Sequence, residues 1–409
     1  MAAPDLPDFM AVRDFDLARA PAGFVANPYP WYAALRTYDP LHRLPEGGLL
    51  LTRYDDVLTV YRDAARASSD KKIEFRPKFG DSLLYEHHTT SLVFNDPPLH
   101  TRVRRLIMGA LTPRALARME ADVVRLVDEL LARMGEEREV DVIAEFAARI
   151  PVEVIGNLLA VPRSERGPLR GWSLAILGAL EPAPSAEALA SGNRAVAEFV
   201  AYLRALIAER RRKPGDPQVD VLTRLIAGEA DGERLSEKEL LHNCIFLLNA
   251  GHETTTNLIG NGLWLLLAHP AEMARLRAQP DLLPRAIEEM LRYEGPIQLN
   301  NRRLAAPMSI GGVEFPEGTL VTLAIGAANR DPAQFAEPER FDVGRDPNRH
   351  VAFGHGAHAC AGMNVARMEA RVAFGRLLAR FPTIEAAGAP ERDPRIRFRG
   401  FRRLPVRLR

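Results

Sequence analysis

The sequence predicts a mainly α-helical protein with a small β region, and three observations support this fold class. Segments such as 115–134 and 195–213 space their apolar residues three and four positions apart, as the buried face of a helix does. Strand-like segments are short and clustered in a few places. No internal repeat or low-complexity linker divides the 409 residues. We therefore expect residues 1–409 to form a single domain.

The predicted β region has three parts. Residues 47–54 ("GGLLLTRY") form one apolar run. Residues 308–329 contain several β-prone runs separated by Gly-Gly and Pro-Glu-Gly turns. Residues 402–408 ("RRLPVRL") are expected to return to a sheet at the end of the chain.

The composition excludes several classes of protein. Hydrophobic residues make up 47% of the chain and charged residues 26%, which is typical of a globular protein with a sizeable core. The net charge of +1 argues against a nucleic-acid-binding protein, and the two cysteines are too few for a disulfide framework. The N-terminal segment lacks the pattern of a signal peptide, and no apolar run reaches the roughly 20 residues that span a bilayer. We expect a cytoplasmic protein without membrane insertion.

The longest predicted helix covers residues 235–270. Ser236 and Glu239 have the spacing of a capping box, and His269-Pro270 marks the other end. A helix of this length extends roughly 50 Å at 1.5 Å per residue. Apolar residues cover both halves, so we expect the helix to run through the core.

The middle of this helix is polar where a buried helix would carry aliphatic residues. The octet "AGHETTTN" (250–257) includes Gly251, Glu253 and Thr254. Glycine weakens a helix interior, and threonine can bond back to the preceding turn and bend it. Two interpretations remain open on the octet alone. It is either a kink that faces buried water, or a helix opened beside a cofactor, with an acid and an alcohol available to move protons.

A second polar pair lies in the predicted helix 285–296, which Gly295-Pro296 ends. Glu289 and Arg292 stand three positions apart and therefore on one face. On a surface such a pair contributes only a few tenths of a kcal/mol. If the pair is buried, it needs a further partner to satisfy its remaining hydrogen bonds.

The two cysteines have different surroundings. Cys244 lies in an apolar helical segment and is expected to be a core residue. Cys360 lies in "FGHGAHACAGMN" (353–364), just before a predicted helix, where the positive end of the helix dipole lowers the pKa of a thiol. The glycines at 354, 356 and 362 remove side chains and let the backbone approach something flat and large.

Several kinds of site use a single cysteine. Zinc is disfavoured because no C-x-x-C or paired histidine supplies the other ligands. A nucleophilic cysteine would need a base, and His355 or His358 could serve. A thiolate on heme iron fits both the lone cysteine and the glycines, because it requires one protein ligand beside a planar cofactor.

Five segments of the chain carry a resemblance to a known family. "FGHGAHACAG" resembles the heme-binding loop F-G-x-G-x-H-x-C-x-G of the cytochrome P450 family. "AGHETT" resembles its oxygen-activating groove, "EMLR" its E-x-x-R motif, "EPERFD" the segment before the cysteine loop, and "HTRVR" (100–104) the helix that contacts the heme propionates. The segments follow the family's order and span nearly the whole chain. The resemblance implies the P450 fold, with heme b between the long central helix and the helix of the cysteine loop.

The resemblance also implies roles for individual residues. Cys360 is the axial ligand of the heme iron, and Phe353 packs near its sulfur. The acid–alcohol pair is Glu253 and Thr254, whose role is catalytic proton delivery. Glu289 and Arg292 form a buried structural pair that Arg340 completes. The remaining residues expected to hold the cofactor are His100, Arg104, Arg302 and His358 at the propionates, and Ala250, Gly251 and Gly362.

The implied reaction is the insertion of one oxygen atom of O2 into an apolar organic substrate. No flavin or iron–sulfur region follows the heme loop, so electrons are expected from a separate ferredoxin and ferredoxin reductase. Their docking face is expected to be basic, with the candidates Arg102, Arg105, Arg349 and Arg367. We expect the protein to be a monomer.

The implied substrate pocket is mostly apolar. It combines the segment before "VFNDPP", residues 172–180, Leu247, Ala250 and residues 297–301. Asn300 and Asn301 could add a polar anchor, and Arg76 or Lys78 could meet a substrate carboxylate. Three other functions remain open. They are a peroxide-dependent heme-thiolate enzyme, a non-catalytic heme sensor or carrier, and a cysteine hydrolase, which would leave the groove and the E-x-x-R pair unexplained.

Overall fold

The computed structural model describes residues 7–109, 111–137, 139–217, 220–230 and 233–409. Within this part of the chain, the helices in chain order are α1 (Phe9–Arg13), α2 (Ala22–Ala26), α3 (Tyr29–Tyr38), α4 (Tyr54–Arg62), α5 (Lys72–Phe79), α6 (Leu83–Thr90), α7 (Leu99–Met108), α8 (Pro113–Met134), α9 (Arg149–Leu158), α10 (Leu169–Gly178), α11 (Ala186–Arg212), α12 (Val221–Ala227), α13 (Glu237–Ala268), α14 (Pro270–Ala278), α15 (Leu283–Tyr293), α16 (Ile325–Ala328) and α17 (Met363–Arg380).

The strands of the described residues are short. They are β1 (Leu41–Arg43), β2 (Gly48–Leu51), β3 (Ala67–Ser68), β4 (Glu139–Asp141), β5 (Glu229–Ala230), β6 (Glu233–Arg234), β7 (Leu299–Leu304), β8 (Met308–Ile310), β9 (Val313–Phe315), β10 (Leu320–Ala324), β11 (Ile384–Ala386), β12 (Glu391–Arg392), β13 (Phe401–Arg403) and β14 (Pro405–Leu408). The predicted fold class, mainly α with a small β region, is confirmed.

The largest sheet has the strand order β1-β2-β10-β7-β3. β2 and β10 pair in parallel, with Val321 opposite Leu49, and the other neighbours pair antiparallel. Strand β2 is shorter than the strand predicted at 47–54, because α4 already begins at Tyr54. The C-terminal segment joins a second sheet in the order β11-β14-β4, as the sequence predicts.

Capping residues in the sequence determine where the main helices begin. α8 begins with a Thr112 side chain that accepts from the Ala115 amide and with Pro113 in its first turn. α11 begins earlier than predicted, at Ala186, because the side chain of Ser185 caps it. The predicted capping box of α13 is present, since Ser236 and Glu239 bond reciprocally to each other's backbone amides.

Helix α13 passes through the interior between two hydrophobic clusters. Its N-terminal half, including Leu241, Cys244 and Leu248, packs into one cluster, so Cys244 is a core residue as predicted. Its C-terminal half, including Leu258 and Leu263, packs into the other. Residues 249–257 lie between the clusters, and this placement puts the polar octet at the centre of the fold. No helix among the described residues has the length and apolar character needed to cross a membrane.

Candidate functional site

Helix α13 is continuous through its centre, but one face of it there is not buried. Ala250 is exposed, and Leu247, Gly251 and Thr254 are partly exposed, although most of the helix around them is buried. These positions follow the three- and four-residue spacing of one helix face. Exposure in the middle of a core helix means that this face lines an internal cavity. Thr254 Oγ1 donates to the Ala250 carbonyl at 2.7 Å, a bond that bends helices.

Gly251 contributes to this region in an unexpected way. A Cβ atom at Gly251 would come within 2.6 Å of Ile155 Cδ1. The missing side chain therefore lets α9 approach α13 closely. The predicted cofactor contact through Gly251 remains a prediction and would involve only its backbone.

The cysteine loop is built around two glycines in the left-handed region. Gly354 has φ = 68° and Gly356 has φ = 70°, conformations that other residues rarely adopt. A Cβ atom at Gly356 would also lie 2.7 Å from the Tyr61 carbonyl oxygen. The Cys360 amide donates to the Phe353 carbonyl at 2.8 Å and closes the loop. At Gly362 there is open space where a side chain would stand.

Cys360 lies three positions before the start of α17, but the predicted lowering of its thiol pKa is wrong. Burial raises the pKa of Cys360, and the amide of Gly362 with the positive charges of Arg104 and Arg367 opposes this only in part. The desolvation of the sulfur outweighs the helix terminus. A metal cation at the sulfur would reverse the balance, because a coordinating thiol is deprotonated outright.

The four residues predicted to hold propionates lie together. The rings of His100 and His358 have centroids 4.0 Å apart. Burial lowers the pKa of His100 to about 4, and the neighbouring charges of His358, Arg104 and Arg302 also contribute. The predicted grouping of these side chains is therefore confirmed as geometry, while their binding role remains a prediction.

This group has buried ring nitrogens without hydrogen-bond partners. Both ring nitrogens of His100 and the Nε2 atom of His358 are buried without a hydrogen bond, and His358 Nε2 is 3.7 Å from Asp96 Oδ1. Arg104 forms no ion pair with another described residue, while Arg302 donates to the Asn301 carbonyl at 2.8 Å. Buried donors left without acceptors are costly. Two carboxylates of a bound cofactor would satisfy them, so the residues present fit heme.

Glu253 is held by a residue that sequence reasoning missed. Its Oε1 atom accepts from Arg395 Nη2 at 2.5 Å and from Asn257 Nδ2 at 3.2 Å. Arg395 is also fixed by Asp393, at 2.9 Å. No local pattern could have identified Arg395, because it follows Glu253 by 142 positions.

The E-x-x-R pair is buried as predicted. Glu289 and Arg292 have fully buried side chains and form two hydrogen bonds of 2.7 and 2.9 Å. The prediction that Arg340 completes the pair is wrong. Arg345 Nε donates to Glu289 at 3.1 Å, while Arg340 offers only its carbonyl to Arg292 and turns its exposed side chain to Glu337. The Arg345 guanidinium is also held by the carbonyls of Ala336 and Arg340, which fixes it beside Glu289.

The side chains proposed as substrate anchors already have protein partners. Asn301 Nδ2 donates to Glu74 at 2.7 Å, and Asn300 Nδ2 donates to the Tyr61 hydroxyl at 3.3 Å. Arg76 pairs with Asp81 at the surface. Lys78 donates to the Glu181 carbonyl at 2.6 Å, and burial lowers the pKa of Lys78 to about 8. Their roles toward substrate remain predictions.

The proposed docking arginines differ in their surroundings. Arg367 makes two hydrogen bonds of 2.7 Å to Glu288 and stacks on Phe353, with its guanidinium carbon 4.8 Å from the ring centre. Arg102 pairs with Glu239. Arg105 and Arg349 are exposed. A partner with acidic groups would therefore meet a mixture of paired and exposed arginines.

Comparisons with known proteins agree with this geometry. The family model described as Cytochrome P450 matches residues 185–405. Cytochrome P450 107B1 of Saccharopolyspora erythraea is 40% identical over 100% of this chain and 99% of its own. The 6-deoxyerythronolide B hydroxylase of the same organism is 38% identical over 94% of this chain and 97% of its own. A crystal structure of P450BioI in complex with hexadec-9Z-enoic acid ligated acyl carrier protein has a TM-score of 0.89 and 35% identity, and covers 95% of this chain and 100% of the other.

Proposed function

The chain belongs to the cytochrome P450 monooxygenase family, and we propose that it hydroxylates an apolar small organic substrate with heme b as its cofactor. The single observation that carries this proposal is the pair of histidine rings, His100 and His358, whose buried nitrogens lack hydrogen bonds, together with the charge of Arg104, which acts on both His100 and the thiol of Cys360. The bound heme would supply the activation of O2. The residues of the candidate site would then have the following roles.

Cys360 would bind the heme iron through its Sγ atom, which would carry negative charge only while the metal is bound. The amide of Gly362 and the charges of Arg104 and Arg367 would stabilise that charge. Phe353 would limit the access of water to the sulfur. His100, Arg104, Arg302 and His358 would hold the propionates through charge-assisted hydrogen bonds.

Thr254 and Glu253 would deliver protons to the cavity. The Thr254 hydroxyl lies on the cavity-lining face of α13 and would exchange its bond to the Ala250 carbonyl for one to a molecule in the cavity. The Glu253 carboxylate starts from its contact with Arg395, and would carry a proton by rotating about its own side chain. Ala250, without a bulky side chain, leaves room on the same face.

Substrate and electron donors form the finer part of the proposal. The names of the relatives refer to a polyketide-type hydroxylation substrate and to an acyl group on a carrier protein. Apolar residues such as Leu247 and Ile297 would contact a substrate of comparable hydrophobicity. A ferredoxin and its reductase would supply electrons to a monomeric enzyme in the cytoplasm.

The test is an absorption spectrum of the dithionite-reduced protein with and without carbon monoxide. Wild type should give a strongly red-shifted Soret band, and Cys360→Ser should bind heme without that shift. Cys244→Ser is the matched control, because this buried thiol lies in a hydrophobic cluster and should leave the spectrum unchanged. The absence of heme from wild type, or an unshifted band, would overturn the proposal.

A further inference from the structure

A cleft with a volume of about 460 Å³ lies between α8, α9 and α10. Its size falls in the range of roughly 300–1,000 Å³ that small-molecule sites occupy. The residues predicted to hold heme are not among those that line it. Its accessible apolar surface comes mainly from the half-buried Ala144 and Val152, because the lining residues Leu126 and Leu130 are buried in the core. The cleft is therefore a second concave surface on the same fold.

Positive charge predominates along this cleft. Five arginines and two glutamates line it: Arg133, Arg149, Arg163, Arg166, Arg170, Glu129 and Glu153. Three of the arginines pair with two carboxylates. Glu153 accepts from Arg166 at 2.6 Å and pairs with Arg163 at 3.5 Å, and Arg149 pairs with Glu145 at 2.9 Å.

Two arginines on different walls have no such partner. The side chains of Arg133, which is exposed on α8, and of Arg170, which is half-buried on α10, form no ion pair or hydrogen bond with another described residue. The Nε atom of Arg170 is moreover buried without an acceptor. A buried guanidinium donor without an acceptor is unfavourable, and the guanidinium geometry matches a carboxylate or phosphate group.

We propose that this cleft binds an anionic amphiphile, with its oxyanion group on Arg133 and Arg170 and its apolar chain on Ala144 and Val152. Arg166 shapes the wall behind the anion. Its guanidinium is held by the Val161 carbonyl at 2.7 Å and by Asn157 at 2.8 Å, so it keeps a fixed orientation. A free inorganic anion would satisfy the arginines but leave the apolar surface unused.

Calorimetric titration of the heme-loaded protein tests the site with hexyl phosphate, hexanoate and inorganic phosphate as probes. Wild type should bind hexyl phosphate and hexanoate more tightly than inorganic phosphate. The double variant R133Q/R170Q should weaken both by at least about tenfold, since two charge-assisted hydrogen bonds are lost. R133K/R170K should be intermediate, because lysine keeps the charge but loses the planar fork.

The matched control is R114Q/R118Q, which removes two charges from exposed positions of the same helix α8 outside the cleft. It should bind like wild type. The absorption spectrum during titration separates this cleft from the heme site, and it should not change. No measurable binding, equal weakening in the control, equal affinity for inorganic phosphate, or binding that shifts the heme spectrum and survives R133Q/R170Q would each overturn the proposal.

Discussion

Arg395 Nη2 lies 2.5 Å from Glu253 Oε1, so a loop near the C-terminus holds the acid at the centre of the longest helix. Both side chains are largely buried, with exposed fractions of 13% and 5%. An ion pair in such surroundings is screened little by water. The position of the Glu253 carboxylate is therefore set by Arg395 and Asp393 as much as by α13 itself.

This relationship predicts that substitutions of Glu253 and of Arg395 have different effects on product formation. Glu253→Gln should reduce product formation by about a hundredfold or more, because a general acid or base contributes at least that factor. Arg395→Gln should give a smaller loss and a larger share of hydrogen peroxide per electron pair consumed. The measurements are product, peroxide and reductant consumption in one assay, with a solvent isotope effect on each variant.

Arg402→Gln is the control for the loss of charge. Arg402 is 3.7 Å from Asp393 but does not contact Glu253, and it is largely exposed. The ratio of product to reductant should stay at the wild-type value. A solvent isotope effect that is the same in wild type, Glu253→Gln and Arg395→Gln would contradict a role in proton delivery and leave only a structural one.

The E-x-x-R pair predicts a contrast between two arginines of the same segment. Arg345→Met should lower the free energy of unfolding by about 2 kcal/mol, because the buried Glu289 carboxylate loses a charged donor. Arg340→Met should change it by no more than about 0.5 kcal/mol, since that side chain is exposed and pairs only with Glu337. Urea denaturation of both variants decides the matter. A larger loss for Arg340→Met would restore the role that the sequence suggested.

Local patterns predicted the parts of this molecule that depend on local physics. The capping box of Ser236 and Glu239 and the glycine turns of the cysteine loop are encoded within a few residues. The motifs also named four side chains, His100, Arg104, Arg302 and His358, that the structure brings close together, and their binding of propionates remains a prediction. Arg395 and Arg345 could not be found in this way, because their partnerships depend on how distant segments return to α13 and α15.

The thiol of Cys360 shows a different limit. Its place before α17 is visible in the sequence, and that place alone favours a lower pKa. The degree of burial depends on tertiary packing, and in the structure burial raises the pKa instead. The helix terminus lowers the pKa and burial raises it. Only the helix terminus, which has the weaker effect, can be recognised in the local sequence.

His88 predicts a loss of stability in acid. It is buried against Phe75, Phe79 and Phe94, and burial lowers its pKa to about 3. Because the unfolded chain binds a proton near pH 6.5 and the folded protein does not, stability falls as the pH drops from 6.5 toward 3, by about 1.4 kcal/mol per pH unit. His88→Phe should reduce the acid slope by this share and keep the packing.

The measurement for His88 is the free energy of unfolding from pH 7 downward, compared between wild type and His88→Phe. His355→Gln serves as the control, because His355 is exposed. It should follow wild type. The slopes of separate groups add, so His87 and His252 would keep their own shares, and an unchanged acid slope in His88→Phe would mean that His88 does not titrate differently in the folded protein.

Glu369 predicts a dependence of the opposite sign. It lies on α17 with its Oε2 atom buried and without a hydrogen bond, and burial raises its pKa to about 8. The folded protein therefore keeps a proton that the unfolded chain releases near pH 4.5, so stability falls as the pH rises from 4.5 to 8, by about 1.4 kcal/mol per unit. Glu369→Gln carries no titrating group and should flatten this slope, whatever offset its amide introduces. Glu317→Gln, at an exposed position, should keep the slope of wild type. Equal slopes in Glu369→Gln and wild type would mean that the carboxyl is already ionised in the folded protein, with a partner that neutralises it.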